Sequence, residues 1–170
     1  MDEIRSEGIK EYKRNDIVRC TNTTTHFVVD GLVALVHNTV EGKAIGLCLY
    51  GEDEMILPYK EDCEIIVISE KAKLLKMVFS KGVSFTNGEK YLMDKLQEAW
   101  VFLAIMAGAN IHEVGDTRGK RFETMLEHIK NKSKGKEYKI TQECLGKLLG
   151  CHRESVTRYM KILKGGSKNE

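Results

Sequence analysis

Residues 150–163 read GCHRESVTRYMKIL. A lone glycine opens the stretch, and Val156, Tyr159 and Leu163 recur behind it at helical spacing. Burying those three leaves His152, Arg153, Glu154, Thr157, Arg158 and Lys161 outward, the division expected of an amphipathic helix. The residues upstream supply a partner. Counted from Gln142 as position 1, apolar side chains fall at positions 4, 8, 10, 15 and 18, namely Leu145, Leu149, Cys151, Val156 and Tyr159. Gly146 is small enough for a second helix to cross closely, Gly150 suits a left-handed turn, and Thr141 stands where an N-cap is needed. This is the pattern of a helix-turn-helix, whose second helix enters a DNA major groove. Arg can grip guanine O6 and N7 with two hydrogen bonds, and Glu can accept from cytosine N4. The competing reading, a helical hairpin with a charged face, leaves the two placed glycines unexplained.

The segment KITQECLGKLLGCHRESVTRYMKIL, residues 139–163, resembles without a gap the DNA-binding helices of the Crp/Fnr family of bacterial transcription regulators. That family's recognition segment reads roughly G-x-[ST]-R-E-[TS]-V-x-R. The resemblance implies that Arg153, Glu154 and Arg158 read bases, in the cyclic-AMP-receptor version of the motif, on TGTGA-like half-sites. It places Thr141 and His152 at backbone-contact positions, His152 where Ser or Thr is usual. Ser155, Thr157, Lys161 and Lys164 complete the expected phosphate contacts. The stretch FVVDGLVALVHNTVEGKAIGLCLYGEDEMI, residues 27–56, looks like the family's β-roll, and residues 87–113 stand where its dimerisation helix belongs.

The pattern of the remaining residues agrees in outline. Residues 8–68 read as short strands, with turns at Asn15-Asp16 and Glu41-Gly42, and with Asp30-Gly31 between two apolar runs as a hairpin signal. SEKAKLLKMVFSKG, residues 69–82, reads as a short helix capped by Ser69 and stopped by Gly82, with Leu74, Leu75, Val78 and Phe79 apolar. Leu92, Leu96, Ala99, Leu103 and Met106 form an a/d seam. Trp100, Val101, Phe102 and Ile105 widen it, so this helix needs two partners, its own β domain and a second subunit. A second helix carries Phe122, Met125, Leu126 and Ile129 on one face. The expected fold class is α+β: an antiparallel, cyclic-nucleotide-binding-like jelly roll over 1–82, a dimerisation helix over 83–113, and a helix-turn-helix over 114–170.

Three departures from the family limit what it implies. Cyclic-nucleotide binders carry a phosphate cassette with an Arg; here GEDEMILPYKEDCEIIVIS runs from strand to strand, with no Arg between Arg19 and Arg118. Cyclic-AMP sensing is therefore not expected. Cys20, Cys48 and Cys63 lack the clustered spacing of an iron–sulfur set; His26, His37 and Cys20 are possible haem ligands, but a His on a strand is usually a satisfied surface or core residue, so no cofactor is assigned. The end of the chain, KGGSKNE, leaves the usual β-hairpin wing shortened or absent.

Charge points to an anionic partner. Residues 1–116 hold 13 Lys+Arg against 19 Asp+Glu, and residues 117–170 hold 14 against 6, so a +8 tail sits on a −6 body. No apolar run approaches membrane-spanning length, no secretory h-region opens the chain, and the five cysteines form no CxxC pair. The expected protein is cytoplasmic, not membrane-bound, not an enzyme, and homodimeric on palindromic double-stranded DNA. RNA polymerase and an unknown small-molecule effector stay open as further partners. Two other classes compete with this reading: a small-molecule-binding β-roll acting through protein partners with DNA binding weakened or lost, and a cupin-like metalloenzyme. The second needs H-x-H ligands that His26 and His37 do not supply.

Overall fold

The computed structural model describes residues 4–21, 23–40, 42–56, 63–79, 94–96, 98 and 117–166. Two antiparallel sheets form the N-terminal part. One holds β1 (Ile4–Lys13), β7 (Lys71–Phe79) and β3 (Thr24–Asp30), in that order. The other holds β2 (Ile17–Val18), β6 (Cys63–Val67), β4 (Val33–Asn38) and β5 (Ala44–Tyr50). Among the described residues three longer helices follow: α1 (Thr117–Lys132), α2 (Gln142–Leu149) and α3 (Arg153–Gly166).

The four-stranded sheet is buried on both faces, and its sequence says so. Along β4, Val33 packs with Val18, Val28, Ile65, Val67, Ala72 and Leu74 between the two sheets. Its neighbours Ala34 and Val36 face the other way, into a second core. On β5, Cys48 and Tyr50 point inward and Leu49 outward; on β6, Ile65 and Val67 point inward and Ile66 outward. Alternate side chains leave opposite faces of a strand. Unbroken apolar runs such as VALV and IIVI therefore mark a strand covered on both sides.

The second cover is helical. Leu32, Ala34, Val36, Leu49, Ile66 and Ile68 of the sheet side pack with Phe122, Met125 and Ile129 of α1. Cys144, Leu145, Leu148 and Leu149 of α2 and Val156 of α3 join the same cluster. One apolar core thus runs across the boundary that the sequence places between β-roll and helix-turn-helix.

Two expectations are overturned. Asp30-Gly31 does not close a hairpin: β3 pairs with β7, whereas β4 pairs with β5 and β6. The glycine turns a corner between sheets. Its φ is 96°, and a Cβ there would stand 2.6 Å from the Lys71 carbonyl oxygen, so the backbones meet too closely for any side chain. Residues 71–79, expected to be helical, form strand β7, paired with both β1 and β3. Lys71 and Lys73 are exposed while Ala72 and Leu74 are buried, a period of two. Ser69, expected as a helix cap, instead accepts from Leu32 N at 3.0 Å. The Asn15-Asp16 turn is present, with Asn15 at φ 66°, but it too passes from one sheet to the other.

At residues 94–96 and 98 the backbone is helical, and Leu96 stands 47% exposed. The other seam positions, Leu92, Ala99, Leu103 and Met106, lie outside the described residues. Among the described residues, no helix is long and apolar enough to cross a membrane.

Candidate nucleic-acid interface

The helix pair is locked by its caps. The Thr141 hydroxyl accepts from Cys144 N at 3.2 Å, satisfying one orphan donor of α2. Gly150 ends α2 at φ 62°, and its N–H reaches back to Gly146 and Lys147 carbonyls. A Cβ on Gly146 would stand 2.7 Å from the Cys151 carbonyl oxygen, so the connecting turn lies directly on α2. Val156 is fully buried, and the Tyr159 ring lies 5.9 Å from that of Phe122 on α1. These contacts fix which face of α3 looks outward.

That face carries most of the residues singled out from the sequence. His152, Arg153, Glu154, Arg158 and Lys161 are exposed. The Arg158 guanidinium lies 5.9 Å from the centre of the Tyr159 ring, at the outer limit of a cation–π contact. Ser155 and Thr157 are half-buried. The Thr157 hydroxyl lies 2.7 Å from Gln142 Oε1 and 3.0 Å from the Arg153 carbonyl oxygen. It serves the α2–α3 contact rather than standing ready for a phosphate. The side chain of Lys164 lies outside the described residues.

A concave cleft of about 410 Å³ adjoins this face. Lys147, His152, Arg153 and Ser155 line one side, and Lys43 and Ala44 of the β4–β5 hairpin line the other. Glu143 also borders it and pairs with Lys147 at 3.2 Å. Nothing in the spacing of the sequence placed the hairpin here.

The sequence also left unread a buried ionic cluster that holds α1. Lys132 Nζ lies 2.7 Å from Glu54 Oε1 and 2.9 Å from Glu98 Oε2. Lys95 Nζ, 4% exposed, reaches the same two carboxylates at 2.9 and 3.1 Å and sits 4.6 Å from the Tyr50 ring centre. His128 Nε2 lies 3.0 Å from Glu98 Oε1. Burial alone would raise the Glu98 carboxyl, but the His128 hydrogen bond and the Lys95 and Lys132 charges hold it well below the usual range. For Lys132, burial is likewise outweighed by Glu54 and Glu98, which hold its ammonium above the usual range. The only local signals were Lys95 and Glu98 three apart and His128 and Lys132 four apart.

Cys20 and Cys48 lack the environment of reactive thiols. Burial pushes Cys20 up to about 11 and Cys48 up to about 12, which leaves little thiolate at neutral pH. Among the described residues no group of three or more His, Cys, Asp or Glu could hold a metal ion.

No family sequence model matches the chain, and no curated protein sequence matches it. Solved structures do. A CRP-family transcriptional regulator of Thermus thermophilus superposes with a TM-score of 0.70 at 13% identity, covering 93% of this chain and 85% of its own. FixK2 of Bradyrhizobium japonicum gives 0.70 at 12% identity, covering 96% and 86%. The fold is that of the Crp/Fnr regulators. A third structure with the Crp/Fnr fold is CLP of Xanthomonas campestris, described as a c-di-GMP-responsive global regulator; it gives 0.65 at 14% identity, covering 95% and 88%. In these superpositions the likeness spans the β-roll and the helices together.

Proposed function

We propose that this chain is a sequence-specific DNA-binding transcription regulator that acts as a homodimer on a palindromic operator. The observation that carries the reading is the exposed row Arg153, Glu154 and Arg158 on α3, held outward by the burial of Val156 behind it. Arg153 and Arg158 have the fork geometry for guanine, and Glu154 can accept from cytosine N4. His152, Ser155, Lys161 and Lys164 flank the row as phosphate contacts, and the Thr141 hydroxyl keeps a proton to donate beside its cap bond. The half-exposed Leu96 fits the second-subunit contact that the seam requires.

The role is binding rather than catalysis, and the trigger is not cyclic AMP. Glu54, just after the Gly-Glu-Asp turn, is occupied by Lys95 and Lys132. No Arg lies between Arg19 and Arg118 to meet a cyclic phosphate. Selection of bound sequences from random duplex DNA tests the reading. The expected product is an inverted repeat of TGTGA-like half-sites about one helical turn apart. Recovery of no preferred sequence would reject it.

A further inference from the structure

Helix α1 is gripped by charge as well as by the shared apolar core. Lys132, at its end, reaches Glu54 of the β-roll and Glu98 of the helical stretch 94–98 at once, at 2.7 and 2.9 Å. Lys95 joins the same two carboxylates from the side of that stretch. The stretch is itself pinned to strand β5. Leu49 N donates to Glu98 Oε1, and Lys95 Nζ donates to the Leu49 carbonyl oxygen, both at 3.3 Å. A Cβ on Gly51 would strike the Lys132 carbonyl oxygen, so β-roll and α1 also meet backbone to backbone.

The linker from α1 to the reading helices is held in the same way. Lys136 Nζ lies 3.0 Å from Asp30 Oδ1 and 2.7 Å from Glu52 Oε2. The Tyr138 hydroxyl donates to Asp30 Oδ1 at 2.9 Å and accepts from Gly31 N at 3.2 Å. Its ring packs against the core that sheet and helices share. Lys95 and Glu98, three apart, both turn to the ionic junction, while Leu96 between them stands 47% exposed. The helix whose seam is assigned to a second subunit is therefore the helix that grips α1.

An inverted repeat offers its half-sites at one distance and one rotation. Each added base pair moves the second half-site by about 3.4 Å and turns it by about 35°. Two reading helices meet both half-sites only if each is fixed relative to the dimer helix. We infer that the junction of Glu54, Lys95, Glu98 and Lys132, with Tyr138 on the linker, sets the half-site spacing that the dimer accepts. These are positioning residues, acting through the placement of α3 rather than on DNA itself. The inference rests on the DNA-binding, dimeric reading above.

The test titrates full-length protein on inverted repeats whose spacers differ by one and two base pairs, beside a shuffled duplex. Lys132→Met opens the junction. Tyr138→Phe keeps the packed ring and removes only the hydroxyl that bridges Asp30 and Gly31. Lys73→Ala, exposed on the other sheet, is the control. The wild type should prefer one spacing over its neighbours by about tenfold or more, because a shifted half-site loses base contacts. Both variants should narrow that ratio by about threefold or more, and Lys73→Ala should leave it unchanged. A fraction of unfolded protein weakens every duplex alike, so lost stability does not move the ratio. Variants that keep the wild-type ratio, or a control that narrows it equally, would overturn the inference. A wild type that prefers inverted repeats over the shuffled duplex at every spacing alike would overturn it and leave base reading intact. A wild type with no preference for any inverted repeat would overturn both.

Discussion

Gly46 of strand β5 and Leu148 of helix α2 meet with no room for a side chain: a Cβ on Gly46 would lie 3.0 Å from the Leu148 carbonyl oxygen and 3.1 Å from its Cδ2. The sheet and the helix-turn-helix therefore share one core, with Leu148 itself fully buried. Gly46→Val should cost about 1–3 kcal/mol through overpacking at this seam. For a chain of this size each kcal/mol lowers Tm by about 2–4 °C. Calorimetry of the wild type should show one transition for β-roll and helices; two separate transitions would contradict the shared core.

The ionic cluster sets opposite pH limits. Glu98 is held below the usual carboxylate range, so its contribution is present above about 4.5 and is lost as pH falls through the lower folded value. Lys132 is held above its usual 10.5, so its contribution is present below that value and is lost as pH rises beyond it. Removing one partner of a buried pair strands the other. Glu98→Gln and Lys132→Met should each cost about 3–5 kcal/mol at neutral pH. Denaturant melts from acid to alkaline pH check this; Glu98→Gln should flatten only the acid limb, and Lys132→Met only the alkaline one.

His26 adds a separate acid limb. Burial, with the nearby Lys76 and Lys10 charges, pushes its imidazole down to about 4, beside the Cys20 thiol at 3.6 Å. The unfolded chain therefore binds a proton below about 6.5 that the folded chain refuses. Stability should fall by roughly 1.4 kcal/mol per pH unit between there and about 4. His26→Gln should remove that slope, whatever it does to stability at neutral pH. An unchanged slope would place the acid sensitivity elsewhere.

These groups show where sequence reading reached and where it stopped. The helix-turn-helix was legible because its signals are local: Thr141, Gly146, Gly150 and Val156 lie within 16 residues and each does in the structure what its chemistry suggests. Strand β7 was misread because Leu74, Leu75, Val78 and Phe79 satisfy a helical stripe as well as a strand. Its partners decided the matter, and Ile4–Lys13 on β1 lies some sixty residues away. Asp30-Gly31 carried a true turn signal but the wrong topology, since a corner and a hairpin need the same backbone freedom. Glu54, Lys95, Glu98, His128 and Lys132 come from three distant segments, and Gly46 matters only because α2 lies over it. The dimer seam, beyond Leu96, lies outside the described residues.

Leu96 offers a direct test of that seam. It is 47% exposed on helical backbone, and the a/d spacing of the sequence assigns it to the proposed second-subunit contact. Leu96→Glu should give monomers in sedimentation at micromolar concentration, where the wild type should be a dimer. A wild type that sediments as a monomer would rule out the proposed dimer.

Base reading by α3 is open to a single titration. Labelled duplex with inverted TGTGA-like half-sites is titrated with wild type and Arg153→Ala at one salt concentration, beside a shuffled duplex of equal composition. The wild type should prefer the inverted repeat by about a thousandfold or more. Arg153→Ala should lose about 1–3 kcal/mol on that duplex and little on the shuffled one. Equal wild-type affinity for the two duplexes, or an equal loss on both in Arg153→Ala, would reduce the exposed face of α3 to a basic patch.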